Sequence, residues 1–256
     1  MNFDNMRVRY IILLLVIIVL STNTLEAKRK PTLYTIGDST MAEKDTTKGN
    51  PERGWMMQFR TMIDTTQISV MNLARNGRSS KSFRSEGVWD KAYLPMKKGD
   101  FLFIQFGHND QKEDTLRHTD PKTTFKANIV RYINEARSKG ATPILFTSIV
   151  RRHFDEHGRL IDSHGEYVSV IYSIAKEQKV TLIDLNSLTH HYVETLGPDE
   201  SKALYKWVAP NTLPAYPKGF EDDTHLNEAG AKAVALMAAE ALMQSDSKIK
   251  RYIKRK

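Results

Sequence analysis

The sequence predicts an α/β sandwich built on a mainly parallel sheet. Two observations lead there: five short, nearly continuous apolar runs alternate with amphipathic stretches, and 40% of the 256 residues are hydrophobic, enough for a sizeable core. The runs fall at 32–36, 68–73, 101–106, 144–147 and 181–183. Strands buried on both faces read in this way, without polar alternation, because neither side chain direction meets water. Between them, Trp55, Phe59, Met62 and Ile63 recur at three-to-four spacing, as do Phe125, Ile129, Ile133 and Ala136 in a segment that ends before Gly140. Each set lines one helical face. Residues 164–179 and 228–243 behave alike, the last being alanine-rich and opened by Asn227 as an N-cap. Strands and helices taking turns place a parallel sheet between helical layers. Residues 196–223 carry Pro198, Pro210, Pro214 and Pro217 without periodicity and are expected to form one long loop.

The ends of the chain are read separately. Arg7 and Arg9 precede an apolar run at 10–20, followed by polar residues 21–24 and by Ala27. That order is the pattern of a secretory signal peptide, residues 1–27, and a spanning helix would need about 20 apolar residues. Export, to the periplasm or beyond, is therefore expected, with no membrane span kept after cleavage. The chain has 38 Lys plus Arg against 30 Asp plus Glu, but residues 246–256 alone hold six basic groups against Asp246. This segment is expected to be a basic C-terminal tail on a domain spanning 28–245. No nucleic-acid-binding pattern accompanies it, and no nucleic acid partner is expected. The chain contains no cysteine, which excludes disulfides, thiolate metal sites and a cysteine nucleophile together.

In a parallel sheet of this kind, ligands gather at the carboxyl ends of the strands. Three of those ends are polar: Gly37-Asp38-Ser39-Thr40 after the first run, Arg75-Asn76-Gly77-Arg78-Ser79 after the second, and Gly107-His108-Asn109-Asp110 after the third. A fourth cluster, Asp222-Asp223-Thr224-His225, closes the long loop. Any one of them alone is an ordinary turn. Their joint occurrence points to a site.

The four clusters, in this order, resemble the blocks of the SGNH or GDSL esterase superfamily. Within it the chain is most similar to the rhamnogalacturonan acetylesterase group, through residues 36–41, 76–83 with Glu86-Gly87-Val88-Trp89, and 106–110. Thr40 in place of the leucine of the name-giving motif is usual for that group, and Arg151-Arg152 also follows its pattern. The resemblance spans about residues 32–243 and implies a flavodoxin-like three-layer α/β/α sandwich with a five-stranded sheet.

The residue types fit the chemistry of acyl transfer. A serine hydroxyl is a poor nucleophile at neutral pH and needs a neighbouring base. Ser39 is expected to attack, His225 to take its proton, and Asp222, three residues earlier, to hold the imidazole in the required tautomer. The resemblance implies an oxyanion hole made by the backbone N–H groups of Ser39 and Gly77 and the side-chain amide of Asn109, each donor being worth about 3 to 4 kcal/mol. Asp38 and His108 are read as organisers of their loops, and Asp223 lacks the spacing of a triad acid. No metal and no cofactor are expected, since His190 and His191 are adjacent and diverge on a helix.

An exported esterase of this kind would take an acetylated polysaccharide or oligosaccharide, with acetylated pectin implied first. Arg78, Lys81, Arg84, Arg151 and Arg152 are expected to complement galacturonate charge. Trp89, Trp207, Tyr216 and Phe220 are expected to offer faces to sugar rings. The alternatives are a lipase or thioesterase of the same superfamily, an acetylxylan esterase, and a non-catalytic carbohydrate-binding protein.

Overall fold

The structure, a computed structural model, describes residues 29–254, so the expected signal peptide lies outside the described residues. Five strands, β1 (Thr32–Gly37), β2 (Ser69–Asn72), β3 (Phe101–Gln105), β4 (Thr142–Phe146) and β5 (Thr181–Ile183), form one sheet in the order β2-β1-β3-β4-β5. Every pairing is parallel. The chain crosses between strands through α1 (Trp55–Met62), two single turns α2 (Ser82–Ser85) and α3 (Asp90–Tyr93), α4 (Lys126–Ser138) and α5 (Glu166–Gln178). After β5 come α6 (Leu185–Glu200) and α7 (Glu228–Gln244).

In β1, β3 and β4 the nearly continuous apolar runs have their expected cause: side chains alternate between two cores, one on each sheet face. Edge strand β2 departs from the expectation and leaves Ser69 and Met71 exposed. Leu33, Phe101, Phe103, Ile144, Phe146 and Ile183 meet Trp55 and Phe59 of α1 and the alanine-rich face of α7. Tyr34, Ile36, Leu102, Ile104 and Leu145 meet Ile129 and Ile133 of α4 and Ile171 and Ile174 of α5. The result is the expected three-layer sandwich with an all-parallel sheet. Asn227 caps α7, its side chain accepting from the Gly230 N–H at 3.1 Å, which removes one of the unpaired donors at that helix end.

Two expectations are corrected. The stretch from 196 is not loop throughout: α6 runs to Glu200, broken at Gly197 (φ 74), and a tight turn follows at Ser201–Leu204. The prolines hid this helix, because Pro198 follows the break and sits in the first turn of a new helical segment, where its missing N–H costs nothing. Nor is 246–254 a free basic tail. Ile249, Tyr252 and Ile253 are buried, and Ile253 pairs with Ile63 while Lys254 N–H donates to the Met62 carbonyl at 2.8 Å. The apolar residues between the charges anchor the segment, and the charges point outward.

Candidate active site

β1 ends in a buried turn that presents Ser39. Asp38, fully buried, accepts from the Thr40 N–H at 2.9 Å and from the Thr40 hydroxyl at 2.8 Å. Gln105, at the end of β3, accepts from the Trp55 indole at 2.9 Å and from the Thr40 hydroxyl at 3.3 Å. The serine therefore stands on a turn whose Asp38 and Thr40 side chains are already satisfied by the scaffold. Its hydroxyl lies 2.8 Å from Nε2 of His225, and Nδ1 of the same ring lies 2.7 Å from Asp222.

Asp222 also accepts from the backbone N–H groups of His225 and Thr224, both at 2.9 Å. Burial alone would raise its carboxyl; the imidazole and those two N–H groups outweigh burial and hold it at about 2. A carboxylate so firmly ionised accepts from Nδ1–H, leaving the lone pair of Nε2 free for the Ser39 hydrogen. Ser39, Asp222 and His225, spread over 186 positions, thus form one hydrogen-bonded line.

Gly77 follows β2 in the left-handed region (φ 74), with open space where a Cβ would project. Its peptide is exposed to an approaching ligand because no side chain screens it. Among the described residues, neither its N–H nor that of Ser39 donates to a protein acceptor. Asn109 is 7% exposed and gives one amide hydrogen to the Arg78 carbonyl at 3.2 Å, leaving the second for a ligand. Asp110, next to it, binds the Gly77 loop: it accepts from the Ser80 N–H at 3.1 Å, the Ser80 hydroxyl at 2.5 Å and the Thr119 hydroxyl at 3.0 Å.

The expected binding residues part company here. Arg151 is buried and its guanidinium is engaged by Gln111, by Ser163 and by the His108 carbonyl, so it supports the loop and is not a ligand surface. Arg84 bonds Glu135 and lies over Tyr132, Lys81 bonds the Thr115 carbonyl, and Trp89 is only 2% exposed, bonded to Glu135. Arg84 and Trp89 thus have packing roles, while Lys81 is exposed and tied to a neighbouring loop. Arg78 is half exposed but closed onto Glu86 through two nitrogens at 2.8 and 2.7 Å. Arg152 and Trp207 do come together: Asp223 accepts from both, at 2.6 and 2.8 Å, and the guanidinium lies 4.7 Å over the indole. They line a cleft of about 500 Å³ with Lys202 and Pro198.

One network went unseen in the sequence. Lys44, 8% exposed, lies 2.5 Å from Glu52 and 2.5 Å from the side chain of Asn76; Glu52 in turn meets Lys206 at 3.2 Å. Burial lowers the Lys44 ammonium against the pull of Glu52. Lys206 N–H donates to the His225 carbonyl at 2.8 Å. The charges therefore tie the Gly77 loop to the His225 loop. Lys206 and Glu52 are 154 positions apart, and no local spacing signals such a contact.

The model of the GDSL-like lipase/acylhydrolase family matches residues 35–233. The chain belongs to this family. It is 38% identical over 226 residues to the rhamnogalacturonan acetylesterase RhgT of Bacillus subtilis (strain 168), covering 88% of this chain and 95% of that protein. It is 32% identical to the probable rhamnogalacturonan acetylesterase YesY of the same organism, covering 83% and 92%. The crystal structure of the protein YxiM from Bacillus subtilis superposes with a TM-score of 0.69 at 29% identity, over 84% of this chain and 57% of that one. As a GDSL-family acylhydrolase, the protein is a carboxylic ester hydrolase.

Proposed function

We propose that the protein is an exported serine esterase that removes acetyl groups from rhamnogalacturonan, the acidic backbone of pectin. The observation that carries this reading is the line from Asp222 through His225 to the Ser39 hydroxyl, 2.7 and 2.8 Å long. The identity with RhgT over almost the whole of both chains supports the substrate. The apolar run at 10–20 behind Arg7 and Arg9 supports export.

In the proposed reaction, Ser39 Oγ attacks the acetyl carbonyl carbon while its hydrogen passes to His225 Nε2. Asp222 stabilises the imidazolium that forms. The carbonyl oxygen becomes negative and is held by the N–H groups of Ser39 and Gly77 and by the free amide hydrogen of Asn109. Donors fixed before the reaction stabilise that charge without reorganising. The tetrahedral carbon then expels the sugar oxygen, which takes the proton from His225, leaving acetyl-Ser39. Water, deprotonated by His225, attacks this ester and releases acetate, and the proton returns to Ser39.

The test is acetate release from acetylated rhamnogalacturonan, acetylated xylan and p-nitrophenyl acetate. We expect kcat/KM to be highest on rhamnogalacturonan; release from xylan or the simple ester alone overturns the substrate. Labelling with an organophosphate and peptide mapping is expected to find the adduct on Ser39, and an adduct elsewhere overturns the nucleophile. Export is checked by N-terminal sequencing of protein recovered outside the cytoplasm, expected to begin near residue 28.

A further inference from the structure

The segment between the tight turn at Ser201–Leu204 and the Asp222 cluster is closed on itself. Val208 N–H donates to the Phe220 carbonyl at 2.8 Å and Phe220 N–H to the Val208 carbonyl at 2.9 Å. Gly219 makes this closure possible: its φ is +78, and a Cβ there would lie 2.7 Å from the Val208 carbonyl oxygen. Asn211 N–H reaches the Pro217 carbonyl at 3.1 Å, folding the tip back. The loop is thus internally bonded.

This closure brings two aromatic rings together at the surface. The centroids of Tyr216 and Phe220 are 5.4 Å apart with planes at 50°, and Phe220 is 41% exposed. Most of the large aromatic side chains of the domain are buried in one of the two cores. Behind this pair stands Lys206, its Nζ 4.7 Å from the Phe220 ring and 5.2 Å from that of Tyr216. The cation is held by Glu52 at 3.2 Å, and the backbone N–H of Lys206 donates to the His225 carbonyl at 2.8 Å. Phe220 itself stands two residues before Asp222. An exposed aromatic step is therefore bonded directly to the loop that carries the base.

We propose that Tyr216 and Phe220 form a sugar-binding platform, a subsite for a pyranose ring of the polysaccharide chain that flanks the acetylated residue. This rests on the proposed function. A pyranose presents a face of C–H groups, which are matched by the negative face of an aromatic ring. Stiff aromatic side chains supply such contact area at low cost in conformational entropy. A fatty acyl chain would need an apolar channel. The cleft on the Gly77 side, of about 360 Å³, is instead lined mainly by polar residues, Glu43, Asn72, Arg75, Asn76 and Arg78, with Ala42, Leu73 and Ala74 among them.

The experiment uses the full chain and compares acetylated rhamnogalacturonan oligosaccharides with p-nitrophenyl acetate, which has no flanking sugar. For Phe220→Ala, and to a smaller degree Tyr216→Ala, we expect the rise in KM on the oligosaccharide to exceed that on the small ester by about tenfold, the effect of truncating a well-placed aromatic contact. Phe220→Trp is expected to restore it. Ser39→Ala protein titrated with the same oligosaccharides is expected to lose affinity on adding Phe220→Ala. Equal losses on both substrates, or no change in KM on the oligosaccharide, overturn the platform. If the wild type deacetylates xylan and not rhamnogalacturonan, the proposed substrate fails, and the same ratio measured on xylo-oligosaccharides decides the platform alone. If only the p-nitrophenyl ester is cleaved, both fail.

Discussion

Two imidazole–carboxylate pairs stand beside the Ser39 turn, built from the same groups and doing different things. His225 and Asp222 lie 2.7 Å apart, with side chains 29% and 16% exposed; His108 and Asp38 lie 3.2 Å apart, with side chains 3% and 0% exposed. Both carboxyls are held at about 2, in each case against burial, by the imidazole and by neighbouring N–H or hydroxyl groups. The second ring nitrogen separates the pairs. In His225 it meets the Ser39 hydroxyl. In His108 it has no partner among the described residues and the ring packs at 4.6 Å against His164, whose nitrogens are also unpartnered. Burial lowers His108, so its charged form is disfavoured where it stands. Pairing with a carboxylate does not make a base. A base also needs a proton donor in reach and surroundings that tolerate the positive charge it acquires.

Mutations of the two histidines break this comparison most forcefully. His225→Ala is expected to lower kcat by a factor on the order of 10⁶, the scale set by removal of the base from other serine hydrolases, with a modest fall in the urea midpoint because Asp222 keeps its two backbone N–H donors. His108→Ala is expected to leave most of that rate while costing about 3 kcal/mol of stability, because it strands the buried charge of Asp38. Paired measurements of kcat and urea unfolding check both. A rate loss of the same size in the two variants would mean that His108 takes part in proton transfer.

The carboxylates follow with smaller effects. Asp222→Asn keeps the shape but presents the wrong tautomer to His225, and a loss on the order of 10⁴ in kcat is expected. Asp38→Asn keeps an oxygen for Thr40 but turns an amide N–H toward Nδ1 of His108 in a fully buried site, so it is expected to destabilise the protein more than Asp222→Asn does in its partly exposed one. A third, milder change tests the struts between the two loops. Asn76→Ala removes the exposed partner of Lys44 and is expected to lower kcat about tenfold through the neighbouring Gly77 N–H, a loss of about 1.4 kcal/mol in transition-state binding. Lys44→Met combined with Asn76→Ala should then lose less than the two single losses together.

How much of this was legible in the sequence depended on distance along the chain. β1 and β5 lie close to their apolar runs, and α7 begins at the cap that Asn227 announced, because period and capping are local properties. The line Asp222–His225 was legible for the same reason, at a spacing of three. Ser39 joined it only through the joint pattern of four clusters. Arg151 misled, since an arginine at a strand end reads alike whether it faces a ligand or, as here, Gln111 and Ser163. Lys44, Glu52 and Lys206 gave no sign, for a charged residue in an aperiodic stretch is ordinarily solvated. The tail misled because six basic residues outweighed Ile249, Tyr252 and Ile253 in composition, though not in packing.

A third carboxylate sharpens the contrast through its pH dependence. Burial raises Asp110 to about 7; the hydrogen bonds from Ser80 and Thr119 oppose this, and the nearby charge of Asp38 adds to it. Asp38 and Asp222, lowered to about 2, give stability that is present above the unfolded carboxyl value of about 4 and is lost as pH falls toward 2. Asp110 has the opposite sign. Between about 4 and 7 the folded state binds a proton that the unfolded state has released, so its contribution is full below about 4 and is lost as pH rises through about 7. His108 and His164, lowered by burial, gain stability as pH rises toward the ordinary histidine value of about 6.5 and would mask the trend in the wild type alone. The difference between wild type and Asp110→Asn isolates it. From pH 5 to pH 8 the urea midpoint of the wild type is expected to fall relative to that of Asp110→Asn. Parallel midpoints across that range would show that Asp110 is ionised throughout and that its bonds to Ser80 and Thr119 outweigh its burial.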